Sequence, residues 1–462
     1  MTALATRIAG DCLTAIDARL AMGIDAEFVG TGSLPSAFAV TDFAAGSIAA
    51  AGCAVAALIA RAHGGRPTLR VDRRLASFWF QTSIRPIGWE MPGLWDSIAG
   101  DYVCRDGWIR LHTNAPAHRA AAQRVLGGQE DRIAMARAVA TRDGAVLEAA
   151  IVATGGCAAQ LRTEAEWVAH PQGQAVASEP LVHVESIVAS PAPGWTVPID
   201  RPLRGVKVLD LTRVLAGPIA TRFLAGYGAE VLRIDAPAWD EPAVVPEVTL
   251  GKRCARLDLK LPADRASFER LLAQADVLIH GYRPGALDAL GYGNEARRRI
   301  VPGLIDVSLD AYGWSGPWAT RRGFDSLVQM SSGIAHAGMA WRSAEVPTPL
   351  PAQALDHATG YLMAACAVAG IGQRLTEGRA MSCRVSLART ASLLLGLPRE
   401  PQDRPLAPER EGGSASDFAT QAESTSWGDA RRLKPALQIE GAPMRWERGA
   451  CRLGGHAPQF IG

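Results

Sequence analysis

Between Gly205 and Leu309, short continuous apolar runs alternate with stretches whose apolar residues recur every three or four positions. The runs VKVLDL (206–211), AEVLRID (229–235), CARLDL (254–259), DVLIHGY (276–282) and GLIDVSL (303–309) predict buried strands. Between them, GPIATRFLAGYG carries Pro218 in its first turn and predicts a helix, Ala263 to Ala273 a second, and a third is expected near Pro284. Strands alternating with helices imply the α/β class, with a parallel, doubly wound, Rossmann-like sheet.

The flanking segments read differently. Ser47 to Ala62 predicts a small-residue helix that HGGRP (63–67) ends, and DGWIRLHT has the period of a strand after an Asp-Gly turn. Helices are expected over 117–126, 131–140, 145–152 and 163–170, followed by the Pro-rich crossing segment SPAPGWTVPIDRP (190–202). After Leu397 a Pro-, Glu- and Ser-rich stretch reads as a flexible excursion, and the last residues as turn-rich chain packing back on the core. The expected division is therefore 1–200 as a smaller α+β domain with its linker, 201–395 as the sheet domain, and 396–462 as excursion and tail.

Composition narrows the picture only a little. With 462 residues, 48% hydrophobic and a net charge of +2, the chain has ample core and no bulk charge for holding nucleic acid. Its 8 cysteines show neither C-x-x-C nor zinc spacing, and are expected as reduced core thiols; no metal is implied. Asp11 and Asp17 interrupt the N-terminal apolar stretch, which argues against a signal peptide and for a cytoplasmic protein. Phe43 to Ala60 is mostly Ala and Gly, and Ala358 to Ile371 is shorter than a bilayer requires, so both are expected as buried helices rather than membrane spans.

The candidate for chemistry is Asp356 in PLPAQALDHATGYLMAACAVAGIGQR (349–374), an acid heading an almost uncharged run. Such a carboxylate must be hydrogen-bonded, paired or chemically employed. TDFAAGSIAAAGCAVAALIARAHGGRPTLRV (41–71) echoes it: Asp42 and Gly46 match Asp356 and Gly360, and both runs contain CAVA, which points to a duplicated helix–strand unit. Asp42 is expected to be structural.

PLRGVKVLDLTRVLAGP (202–218), GAEVLRID (228–235), GKRCARLDLK (251–260), ADVLIHGYRPG (275–285) and SLDAYGWSGPWATRRGFDSLVQMSSGI (308–334), leading to LDHATG, together resemble the family III CoA-transferases. The N-terminal 200 residues resemble that family's second half, so the chain looks like a rearranged or partly duplicated member. The resemblance implies a homodimer of interlocked subunits, coenzyme A in the form of an acyl-CoA substrate, and a carboxylic acid as its partner. It places Asp356 as the nucleophile that carries CoA as an aspartyl thioester. It further implies CoA contacts from Arg213, Val214 and Ala216; from Lys252 and Arg253; from Tyr282 and Arg283; and from Arg322, Gly323, Phe324 and Asp325. Arginines beside glycines suit phosphate groups.

Three departures bear on that picture. No basic residue lies between Arg233 and Lys252, where the family carries an arginine for CoA phosphates, and Leu250 replaces the usual Asn. Phe324 stands where racemases of the family carry a proton-transferring histidine, which disfavours the racemase alternative; His357 and His336 lie elsewhere. A catalytically inactive CoA-binding paralogue is the other alternative. A dehydrogenase reading fails because the turn RVLAGPIAT lacks G-x-G-x-x-G.

Overall fold

The structure is a computed structural model, which describes residues 2–23, 25–188, 193–399, 406 and 413–461. Residues 190–192 of the expected crossing segment, and 400–405 and 407–412 of the expected excursion, lie outside the described residues.

The five apolar runs form strands, and they order the central sheet. Its strands run Arg253–Arg256, Glu230–Asp235, Lys207–Leu211, Val277–His280, Ile305–Asp310, Arg379–Ser386 and His183–Val188. The first six are mutually parallel and only the last is antiparallel. In chain sequence the parallel strands follow the order 3-2-1-4-5-6, so the direction of winding reverses between Lys207–Leu211 and Val277–His280. Crevices at the carboxyl ends of such strands are where doubly wound sheets take ligands. His183–Val188, drawn from the first 200 residues, closes the sheet edge by pairing with Arg379–Ser386.

Two long helices, Val40–His63 and Ala354–Glu377, pack against each other in the largest core cluster. Each has 24 residues and enough apolar character to cross a membrane, yet both are buried inside the protein. The shortness expected of the second run is thus not borne out; burial, rather than length, is what marks it as a core helix. Small residues let further helices, Ala216–Gly226 and Thr2–Ile16, approach them closely. A Cβ on Gly360 would sit 2.4 Å from the carbonyl oxygen of Ala216, and one on Gly46 would sit 2.7 Å from that of Ala5.

The two units match beyond sequence. Their N-cap residues share one backbone geometry, Ala39 at φ −74° and ψ 56° and Gln353 at φ −75° and ψ 63°. Each helix leads to a strand (Leu69–Asp72; Arg379–Ser386) and then to a short helix (Arg73–Trp79; Leu387–Leu395) capped by the side chain of Asp72 or Ser386.

The small domain pairs Gly100–Cys104, Gly107–Leu111 and Ala158–Gln160 into an antiparallel sheet with its own core. The tail returns to the N-terminal unit: Leu437–Ile439 pairs with Leu69–Asp72, and Gly428–Arg432 with Ile84–Pro86. All eight cysteines are free and buried.

Candidate active site

Asp356 stands in the first turn of the helix Ala354–Glu377, 7% exposed, at the junction of two cavities. Burial pushes its carboxyl well above the usual range, and the neighbouring Asp325 carboxylate pushes it further. Asp325 begins the helix Asp325–Ser331, where its Oδ1 accepts from Gln329 Nε2 at 2.5 Å and its Oδ2 accepts the backbone N–H of Asp356 at 2.9 Å. It too is raised by burial, to about 6. Because the Asp356 amide is taken by Asp325, it is not a free donor for an oxyanion. Asp325 instead fixes the start of the helix on which Asp356 rides.

The cavity on one side has a volume of about 410 Å³ and is basic. Arg213, Arg283, Arg321 and Arg322 contribute to its wall, as do Val214, Ala216, Tyr282, Gly323 and Phe324. Nine of the eleven CoA contacts implied by resemblance therefore come together here or beside it, with Asp325 on the neighbouring wall. Arg213 lies over the ring of Trp239 at 4.2 Å and that of Tyr282 at 5.7 Å, which holds its guanidinium at the cavity edge. Trp239 comes from the acidic loop that occupies the place of the family's missing arginine.

Val214 is one of two non-glycine residues with positive φ among the described residues, at 64°. Its amide donates to Glu241 Oε2 at 2.9 Å, which secures a conformation costing about 1–3 kcal/mol. This strained turn joins the strand Lys207–Leu211 to the helix Ala216–Gly226 and lines both cavities.

Lys252 and Arg253 do not face either cavity. Lys252 is fully buried and its Nζ donates to Asp210 Oδ2 at 3.0 Å and to the Pro218 carbonyl at 2.9 Å. Burial alone would raise Asp210, but Lys252 beside it and the hydroxyls of Thr212 and Thr221 hold it below the ordinary range. Arg253 Nη1 is taken by the Gln459 carbonyl at 2.5 Å. In this structure the GKR block braces the sheet and tail, and Lys252 and Arg253, expected as phosphate contacts, line neither cavity.

The cavity on the other side, about 310 Å³, is mostly apolar and runs between the sheet and the small domain. Here the structure contributes a residue that sequence reasoning missed. His112, from the edge of Gly107–Leu111, stacks on Phe324 with ring centroids 3.7 Å apart and planes 11° apart. Burial pushes its imidazole down to about 3, so it is neutral, and Nδ1 has no hydrogen-bond partner. His118 meets the same Phe324 ring edge-on at 5.8 Å. The strand period of DGWIRLHT was visible, but contact across more than 200 positions was not. His357 faces away, stacked on Phe80 at 4.8 Å, as a core histidine.

Asp310, at the end of Ile305–Asp310, was also not singled out. It lines the basic cavity, its Oδ1 accepts from the Gly313 amide at 2.8 Å, and its Oδ2 has no partner. Burial raises it to about 8. No group of three or more His, Cys, Asp or Glu suited to a metal occurs among the described residues.

Comparison with known proteins gives the same direction. The model of the CoA-transferase family III matches residues 203–416. The "Probable fatty acyl-CoA transferase Rv3272" of Mycobacterium tuberculosis is 31% identical over 285 residues, covering 55% of this chain and 69% of that protein. Succinyl-CoA:glutarate CoA-transferase of Homo sapiens is 34% identical over 210 residues, 42% of this chain and 47% of that protein. A crystal structure of Rv3272 aligns at 32% identity over 42% of this chain and 55% of that chain, with a TM-score of 0.39. The chain thus spans about half the length of the human relative and of the solved structure. At 31% identity over 69% of the length of the Mycobacterium tuberculosis relative, with the family model matching residues 203–416, the chain belongs to the family III CoA-transferases.

Proposed function

We propose that the chain moves CoA from an acyl-CoA thioester to a carboxylic acid through an aspartyl-CoA intermediate on Asp356. The observation carrying this reading is that Asp356 is a buried acid with no cationic partner among the described residues, set between a basic cavity and an apolar one. The basic cavity suits the phosphates and pantetheine of CoA, and the apolar cavity suits the acyl group.

The ionised carboxylate of Asp356 attacks the thioester carbonyl, and the C–S bond breaks to give a mixed anhydride and CoA thiolate. The thiolate attacks the aspartyl carbonyl, releasing the donor acid as its carboxylate and leaving Asp356 as the thioester. An incoming carboxylate attacks that thioester and expels the thiolate, forming a second anhydride. The thiolate then takes the acceptor's acyl carbon and returns Asp356 as a carboxylate. One thioester replaces another, so no ATP is consumed and no net proton moves. A carboxylate raised by burial is the more basic, and hence stronger, nucleophile once ionised.

In this reading residues 201–395 supply the nucleophile and the CoA side, residues 1–200 supply the wall facing the acid, and 396–462 brace the core. It carries with it a cytoplasmic homodimer, whose mass light scattering would measure. The test is exchange itself: purified protein given an acyl-CoA and a free acid forms the second acyl-CoA without ATP, and Asp356→Asn abolishes it. Undiminished exchange in that variant would defeat the proposal.

A second reading, acyl-CoA racemisation, is favoured by one observation: His112 lines the same apolar cavity as Asp356 and stacks where the racemase histidine would stand. Solvent deuterium entering the α position of an acyl-CoA without acyl exchange would select it. Acyl-CoA binding with neither reaction would select the inactive paralogue.

A further inference from the structure

We infer that the acid exchanged by this protein is an apolar monocarboxylic acid, whose chain occupies the cavity walled by Leu94, Trp95, Leu215, Val244 and Phe324, and that dicarboxylic acids are excluded. The inference rests on the proposed CoA transfer and concerns which acid enters it.

The cavity's charges decide the point. No Lys or Arg lines it among the described residues, whereas Asp96, Asp240, Glu241 and Asp325 do, together with Asp356. A dicarboxylate bound with one end at Asp356 would place its other end among acids, desolvated and without a counter-charge. The nearby cations stand outside its lining. Arg119 Nη1 pairs with Asp96 Oδ2 at 2.5 Å, and Arg233 pairs with Asp235 at 2.9 Å and Glu241 at 2.5 Å. Arg110 lies over the ring of Trp95 at 4.8 Å with its Nη1 held by Asp101 at 2.8 Å; its Nε has no partner, but Arg110 is not part of the cavity lining.

The neutral polar groups supply no counter-charge: Ser326 Oγ and His112 Nδ1 lack hydrogen-bond partners, but both groups are uncharged. Asn114 is consumed in holding its own loop, with Oδ1 accepting from the Asp96 amide at 3.0 Å and Nδ2 donating to the Leu94 carbonyl at 2.8 Å. His112 stacks on Phe324 as a neutral ring and supplies no positive charge. The apolar wall is also ready to be covered: Leu94 is 59% and Trp95 43% exposed at the mouth. Each methylene buried against such a wall raises affinity about fourfold.

The experiment uses the full chain, with one acyl-CoA donor and a series of acceptors: hexanoate, phenylacetate, succinate and glutarate. Hexanoate and phenylacetate are expected to exceed the dicarboxylates in kcat/KM by roughly 100-fold, the cost of an unpaired buried charge at the low end. Succinate or glutarate equal to or better than hexanoate would overturn the inference while leaving CoA transfer intact. If no acid is activated, the transfer reading has failed, and calorimetric binding of hexanoyl-CoA against glutaryl-CoA still decides: equal affinities overturn the inference, and tighter hexanoyl-CoA supports it. Leu94→Arg, at an exposed position, supplies the missing cation and is expected to raise the glutarate-to-hexanoate ratio about tenfold or more. An unchanged ratio would show that the acid does not sit in this cavity.

Discussion

Arg73 grips Asp42 with both Nε and Nη2, at 3.0 and 2.7 Å from Oδ1, and both side chains are buried. Arg73 is the first residue of the short helix that follows its strand, and Leu387 is the first residue of the corresponding helix in the second unit. Asp42 to Asp356 and Arg73 to Leu387 are both separations of 314 positions. The duplicated unit thus carries one acid neutralised by an arginine, and one with a leucine at the matching position and no cationic partner among the described residues. Leu387 itself lines the basic cavity with Asp356. This difference supports the proposed placing of the chemistry on the second acid and of a structural role on the first.

Restoring the missing cation is expected to silence the second acid. Leu387→Arg would pair with Asp356, lower its carboxyl and draw it from the thioester, and a displacement of about 1 Å costs roughly 100-fold. Initial-rate acyl exchange measures this; a variant as active as the parent protein would contradict the assignment.

Removing the first acid is expected to affect stability and leave chemistry nearly untouched. Asp42→Asn leaves Arg73 charged, buried and half-satisfied, at a cost of about 3–5 kcal/mol. Urea unfolding would report the loss. Exchange measured where the variant is still folded should stay near the parent rate, and a deep loss there would make Asp42 part of the reaction.

The pH dependence of turnover has a defined sign. Below its raised pKa Asp356 is protonated and cannot attack, so the rate climbs with pH through that value. Asp325→Asn removes the negative charge that helps raise Asp356 while keeping an oxygen for its amide. The acid limb of the kcat profile should then move to lower pH. A limb that stays in place would mean that Asp356 does not titrate in that limb.

Asp310 makes a separate prediction about folding. Its carboxyl is raised from 3.8 to about 8 by burial, so its neutral form is the one the fold accepts. That contribution is complete below pH 3.8 and is lost as pH rises toward 8, at up to about 1.4 kcal/mol per pH unit for one group. Asp306 and Asp417, each lowered to about 2, lean the other way in the parent and in the variant alike. The difference between parent and Asp310→Asn therefore isolates Asp310. The variant should gain relative stability across that window, by urea unfolding at several pH values; parallel curves would contradict it.

Much of this architecture was legible because local pattern and tertiary demand agree. Lys207–Leu211 and Val277–His280 are rich in apolar residues and buried along nearly all of their length, as strands covered on both sides are. Asp356 stood out because an acid heading an apolar helix has few structural excuses. Partners distant in sequence were not legible. GKR looks the same whether its lysine meets a phosphate or, as here, the buried Asp210 42 positions away. His112 gives no local sign that it stacks on Phe324, and nothing near Asp42 says that Arg73 cancels it while Leu387 leaves its counterpart free.

The most direct measurement is trapping with hydroxylamine during turnover, followed by mass spectrometry of the peptide containing Asp356. The expected result is a hydroxamate on Asp356 that requires acyl-CoA and is absent at Asp42. Exchange proceeding with Asp356 unmodified, or with the adduct on Asp42, would contradict the central claim.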